Sequence, residues 1–148
     1  MKGNQDFKLD EKDLLLLRQL ESDSNLTTKK LAFLLGMPQT TIHNRIRRLK
    51  KLGVIRKYVA VLDYRKMGSP ITAYVLLDID YMVHDVIFKK LSGLPFISEA
   101  SAVTGSNDIV LKIRARDAEE LGNIVLRNLR RLGGVTRTET LLVLEAME

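Results

Sequence analysis

The chain has 148 residues, enough for one medium domain or two small ones, and its 24 Lys and Arg outnumber its 18 Asp and Glu for a net charge of +6. It contains no cysteine, which excludes disulfides, thiolate metal sites and cysteine nucleophiles. No apolar run approaches the roughly 20 residues a membrane span needs, and Met1 to Asp6 lacks the apolar core of a signal peptide, so the chain reads as soluble and cytoplasmic.

The charge is uneven along the chain. Met1 to Lys66 holds 15 basic and 7 acidic residues (net +8), whereas Met67 to Glu148 holds 9 and 11 (net −2). A basic first half suits a polyanion such as nucleic acid, and the second half then has another task.

Taken in order, Met1 to Lys8 reads as a polar, flexible arm. Asp10, with Asp13 three residues on, opens a first helix carrying Leu14 to Leu17 and Leu20 and ending near Glu21. Ser22 to Asn25 is a turn cluster. Thr27 caps a second helix with Leu31, Leu34 and Leu35 on one face, and Gly36 stops it. Pro38 sits at the start of a third helix, as a first helical residue that tolerates proline, and that helix runs to about Leu52 before Gly53. Two helices joined by a tight turn at Gly36-Met37 form a helix-turn-helix. Val54 to Leu62 is rich enough in β-branched and aromatic residues for a strand or small hairpin, which would make the motif winged.

Asp63 to Pro70 is a short connector. Beyond it the expected order is strand Ile71–Asp80, helix Val83–Leu91, strand Phe96–Thr104, turn Gly105–Asp108, strand Ile109–Arg116, a helix from Asp117 to about Leu132, and strand Val135–Ala146. Asp117 and Glu120 form an acid-x-x-Glu cap for the second of these helices. This is a ferredoxin-like βαββαβ sandwich, so the fold class is α+β, with domains at 1–62 and 71–148 and a linker at 63–70. Tyr74-Val75-Leu76-Leu77 and Leu141-Leu142-Val143-Leu144 are apolar on both strand faces. Two helices cover one face only, so a second copy packed sheet to sheet is expected to cover the other.

The third helix carries the chemistry. Ile42, Ile46 and Leu49 recur at i, i+4 and i+7 as an apolar stripe, and no acidic residue interrupts Met37 to Lys57. Gln39, Thr40, Thr41, His43, Asn44, Arg47, Arg48 and Lys51 are candidate DNA contacts, joined by Arg56 and Lys57 in the following wing. Asn bonds adenine, Arg bonds guanine, and Thr meets a thymine methyl or a phosphate. Arg45 lies beside the apolar stripe and is given a positioning role, by phosphate contact or by an internal ion pair. His43 and His84 lack metal-ligand spacing, and no Ser-His-Asp order, P-loop or glycine-rich dinucleotide turn is present. No metal, cofactor or enzymatic activity is expected. The segment Thr104, Gly105, Ser106, Asn107, Asp108 has two readings. One is a hairpin turn; the other is a loop whose backbone N–H groups hold a carboxylate while Asp108 takes an ammonium.

Several motifs together resemble the leucine-responsive/asparagine-regulator (Lrp/AsnC) family of transcription regulators. They are Leu9-Asp10-x-x-Asp13, Leu31-Ala32-x-x-Leu35-Gly36, and Thr41-Ile42-x-x-Arg45-Ile46-x-Arg48-Leu49-x-x-Leu52-Gly53-Val54-Ile55, followed by Thr104-Gly105-x-x-Asp108 and Gly134-Val135-x-Arg137-Thr138-x-Thr140. The resemblance covers nearly the whole chain. It implies a DNA-binding regulator of transcription that dimerises, often assembles into octamers, and binds an amino acid or related metabolite near the Gly105–Asp108 loop. Two positions depart from the family pattern. Pro38 replaces the usual capping serine, and Ser106-Asn107 replaces the usual aromatic before the aspartate. The expected partners are double-stranded DNA with an inverted-repeat operator, an amino-acid effector and further copies of the chain. The alternatives are an effector-independent architectural DNA-binding protein and, from the same architecture, a tetrapyrrole-pathway decarboxylase.

Overall fold

A computed structural model describes residues 8–146, with Tyr81 described by its backbone alone. The expected arm at Met1 to Lys8 falls almost wholly outside the described residues. The chain divides into two units between Val61 and Leu62.

The first unit is three helices: α1 (Glu11–Ser22), α2 (Thr28–Leu35) and α3 (Gln39–Lys51). Asp10 caps α1 by accepting the Asp13 N–H at 2.7 Å, and Asp13 returns the bond from the Asp10 N–H at 3.1 Å. Thr27 caps α2 by accepting the Lys30 N–H at 3.2 Å. At the end of α2, Gly36 takes the left-handed conformation (φ 60°), and the Met37 N–H returns to the Ala32 carbonyl at 3.0 Å. This turn needs glycine and brings α3 back across α1 and α2. Leu16, Leu20, Leu31, Met37, Ile42 and Leu49 bury themselves between the helices. Pro38, expected as the first helical residue, is instead the N-cap of α3, which begins at Gln39, and it offers no side-chain acceptor to the free N–H groups that follow.

The expected strand at Val54–Leu62 is not formed. The N–H groups of Val54 and Ile55 close onto the Leu49 carbonyl at 3.0 and 3.2 Å, and the chain then runs without ladder bonds to Leu62. A strand requires a second strand beside it, and among the described residues every element of this unit is a helix. Ile55 packs on the helix core, whereas Val59 and Val61 are left in solvent, Val61 at 96% exposure.

The second unit is a four-stranded antiparallel sheet in the order β2-β3-β1-β4, formed by β1 (Ile71–Ile79), β2 (Ile97–Ala102), β3 (Ile109–Ala115) and β4 (Val135–Leu142). This is the expected ferredoxin-like order. A short 3₁₀ turn (Tyr81–Val83) leads into α4 (His84–Leu91), and α5 (Ala118–Asn123) follows β3. Val75, Leu77, Ile79, Ile109, Leu111 and Ile113 project to the helix side and make one core with Ile87, Leu91, Ile124, Val125 and Leu129. The other face pairs Tyr74 with Lys112 and Leu141, and Leu76 with Val110 and Glu139. Among the described residues no helix or strand of the unit is layered on it.

Three boundaries differ from expectation. The second helix of this unit is α-helical only to Asn123 and continues as a π-helical turn over Ile124–Leu129, with the Arg130 N–H bonded to the Val125 carbonyl at 3.0 Å. The wider turn brings Ile124, Val125 and Leu129 onto the core together. The strand expected over Phe96–Thr104 is limited to 97–102. The last strand stops at Leu142, and Leu141 and Leu142 on this edge strand, with Leu144 just beyond it, are exposed. No helix among the described residues is long and apolar enough to cross a membrane.

Candidate nucleic-acid interface

The side chains of α3 divide by burial. Ile42 and Leu49 are fully buried and Ile46 is packed against the same core, whereas Thr40, His43, Asn44, Arg47 and Lys51 are exposed. Thr41 is half-buried. The helix thus presents a polar and cationic face outward while its apolar stripe anchors it to α1 and α2. At its start, the Gln39 amide donates to Thr28 Oγ1 at 3.0 Å, which ties the first turn of α3 to that of α2. Beyond α3, Lys50 lies 4.7 Å over the Tyr58 ring, and Arg56 and Lys57 are exposed on the unpaired chain that follows.

Two of the arginines turn inward. Arg45 Nη1 donates to both oxygens of Asp10, at 2.8 and 2.7 Å, and to Asp13 Oδ1 at 2.7 Å. Arg48 Nη2 donates to Asp13 Oδ2. Of the two positioning roles open to Arg45, the structure contains the internal ion pair. The Arg48 side chain keeps 45% of its surface in solvent, so it is shared between Asp13 and the outer face.

Asp13 is the side chain that sequence reasoning undervalued. It reads as one more acidic group at a helix start, yet it is fully buried between two guanidinium groups. Its burial raises the carboxyl pKa, but the hydrogen bonds from Arg48, the Asp10 N–H and Arg45 outweigh that and hold it below the ordinary carboxylate range. Asp10 is lowered chiefly by Arg45 and then by the Asp13 N–H. Arg45 is raised by its bonds to Asp10 and Asp13. The matched i, i+3 spacings of Asp10/Asp13 on α1 and Arg45/Arg48 on α3 were the available signal.

In the second unit the loop from Thr104 to Asp108 connects β2 and β3, with Thr104, Gly105 and Ser106 exposed and Gly105 at φ 126°. Asp108 is engaged within the fold. Its Oδ2 accepts the Ile79 N–H at 2.8 Å, its own N–H reaches the Leu77 carbonyl at 3.0 Å, and its carbonyl accepts the Val103 N–H at 2.9 Å. Asn107 donates to Asp78 Oδ1 at 2.8 Å. These bonds clamp the loop to the end of β1 and leave Asp108 Oδ1 without a partner among the described residues.

Each unit matches a family model of its own. Residues 9–56 match the family model for winged helix-turn-helix DNA-binding domains, and residues 72–148 match the Lrp/AsnC ligand-binding domain. The chain is 36% identical over 137 residues to an uncharacterised HTH-type transcriptional regulator of Pyrococcus furiosus, PF0250, covering 90% of this chain and 91% of that one. It is 33% identical to the HTH-type transcriptional regulator FL11 of Pyrococcus horikoshii, covering 93% and 90%. Among solved structures, the Neisseria meningitidis regulator NMB0573 in complex with L-Met has a TM-score of 0.90 at 22% identity, covering 95% of this chain and 93% of that one. Escherichia coli AsnC has a TM-score of 0.85 at 23% identity, covering 95% of each chain.

A helix-turn-helix with a cationic outer face, followed by a split βαβ sandwich, defines a DNA-binding transcription regulator. The chain belongs to the Lrp/AsnC family of such regulators.

Proposed function

We propose that the regulator acts as a homodimer or a larger assembly, up to an octamer, that sets two α3 helices into successive major grooves of an inverted-repeat operator. One observation carries this reading: Thr40, His43, Asn44, Arg47 and Lys51 are exposed on one helix whose opposite face is locked into the core. Asn44 and Arg47 are assigned to base edges. Thr40, Thr41, His43, Lys51, Arg56 and Lys57 are assigned to phosphates and groove walls. Gln39 and Arg45 hold the helix, and Arg48 divides its charge between Asp13 and the DNA. Binding to DNA from its own promoter region should weaken steeply with salt. Asn44→Ala or Arg47→Ala should each cost about 1–3 kcal/mol on the preferred sequence. Full-strength binding by both variants would remove α3 from the reading role.

The proposed ligand of the second unit is an amino acid near the Thr104–Asp108 loop, as the L-Met complex of the Neisseria regulator suggests. Asp108 Oδ1 is the acceptor for its ammonium, and Thr104, Gly105, Ser106 and Asn107 form the wall. Ser106 and Asn107 call for a polar ligand rather than one stacked on an aromatic ring. Calorimetry against the common amino acids tests this, and the absence of any heat or change in assembly would favour an effector-independent architectural role. The location we propose is cytoplasmic, in keeping with a DNA partner.

A further inference from the structure

The second unit is acidic overall, but its charge is not evenly spread. Between Glu120 and Glu139 no acidic residue occurs, and this stretch holds four of the nine basic residues found after Met67: Arg127, Arg130, Arg131 and Arg137. All four are arginine and all four are exposed. Among the described residues Arg137 approaches Asp78 at 3.9 Å and Glu139 at 3.5 Å, while Arg127, Arg130 and Arg131 have no carboxylate partner. A cation at a helix C-terminus complements the helix dipole, but three crowded within five residues repel one another, and a bound anion relieves that repulsion.

One of the three is already oriented. Arg130 Nε donates to Thr138 Oγ1 at 2.8 Å, which fixes the plane of the guanidinium and leaves its terminal nitrogens free. Beside it lies a groove of about 310 Å³ lined by Arg130 and by Val135 to Thr138 of the edge strand β4, with no acidic side chain in its wall. A planar guanidinium with both terminal nitrogens available grips two oxygens of one phosphate, which a lysine in its place would not do.

We propose that Arg127, Arg130 and Arg131 form a second DNA contact, a sequence-independent grip on the phosphate backbone separate from α3. The occupant is DNA rather than a free phosphate because Arg127 and Arg131 stand outside the groove that Arg130 lines, so one small ion in the groove leaves them unmatched, and the chain already binds a polyanion. The proposal rests on the DNA-binding reading above, and its test keeps the two apart.

The experiment measures the salt dependence of binding by the full-length protein to a DNA fragment several times longer than one operator. Each phosphate contact removed lowers the slope of log K against log salt by about 0.9. Arg130→Gln should lower it by about 1, and the triple variant Arg127→Gln, Arg130→Gln, Arg131→Gln by about 2–3, with affinity down at least about tenfold at physiological salt. The single variant decides the matter should the triple one fold poorly. Arg47→Gln serves as the control on α3. A slope unchanged by Arg130→Gln, while Arg47→Gln weakens binding, overturns the second contact and leaves the first standing. Loss of effect in both indicts the DNA reading itself. Inorganic pyrophosphate that binds at Arg130 by NMR, with the DNA slope unmoved, overturns the proposal in favour of a free phosphorylated ligand.

Discussion

Asp13 has no exposed surface and sits between Arg45 and Arg48, so its charge sets where α3 lies against α1. Asp13→Asn keeps the shape and removes the charge. Breaking a buried ion pair from one side costs ~3–5 kcal/mol. The low end applies here, because Arg45 keeps Asp10 and Arg48 can turn to water. The pH dependence follows from the lowered pKa of both acids. The unfolded carboxyls take up protons near their ordinary value of 3.8, while the folded ones resist until lower pH. Their contribution is therefore fully present above the unfolded pKa and is lost as pH falls through the folded values. Thermal melts of wild type between pH 5 and 2 should show a falling stability that is flatter in Asp13→Asn. Equal acid sensitivity in the two proteins would show that the pair does not carry the effect. At this scale the sequence was half legible. Spacing marked Asp10 as a cap and Arg45 as a positioning group, but which acid would lose all its solvent depends on how α3 crosses α1, and no local pattern states that.

At the scale of elements, local rules located the helices well because caps and stops are local chemistry: Asp10, Thr27 and Asp117 all cap where expected. The misses have non-local causes. Val54 to Leu62 has the composition of a strand but no neighbour to pair with inside its unit. The π-helical turn at Ile124–Leu129 arises from how three apolar side chains reach the sheet core, which a 3.6-residue period hides. Gly134 shows the same dependence on packing. It has φ 103°, and a Cβ there would stand 2.3 Å from Val83 Cγ2 and 2.8 Å from Ile87 Cδ1. Gly134→Ala therefore combines backbone strain with a clash against α4 and the turn before it. We expect a loss of about 2–4 kcal/mol, read as a lower midpoint in urea with helical content preserved. A change under about 1 kcal/mol would mean that Val83 and Ile87 move aside at little cost.

For the whole molecule, the unsettled surface is the open face of the sheet. Tyr74, Leu76 and Val110 stand on its two central strands beside Lys112, and the edge strands carry Leu141, Glu139 and Arg137 on one side and Glu99 on the other. An apolar centre with a charged rim is the composition of an interface rather than of a washed surface. The connector adds to it: Arg114 bonds Thr72 and stacks 4.3 Å from the Tyr64 ring, so residues just after the first unit are tied to this same face. The stretch Val59–Leu62 lies immediately upstream in the sequence and has no strand partner among the described residues. A second copy placed on this face satisfies the apolar centre, and the same copy can supply a partner to that stretch. Leu76→Lys puts a charge in the centre without disturbing the helix-side core, since Leu76 alternates with the buried Val75 and Leu77. In sedimentation experiments the variant should run as a single chain where wild type runs as a dimer or larger. Its affinity for a two-half-site operator should fall by about 10²–10⁴, the advantage that linkage of two sites confers, while each α3 still binds a lone half-site as before. A variant that still sediments as an assembly would place the contact between copies on some other surface, and the inverted-repeat geometry would then have to be rebuilt from that surface.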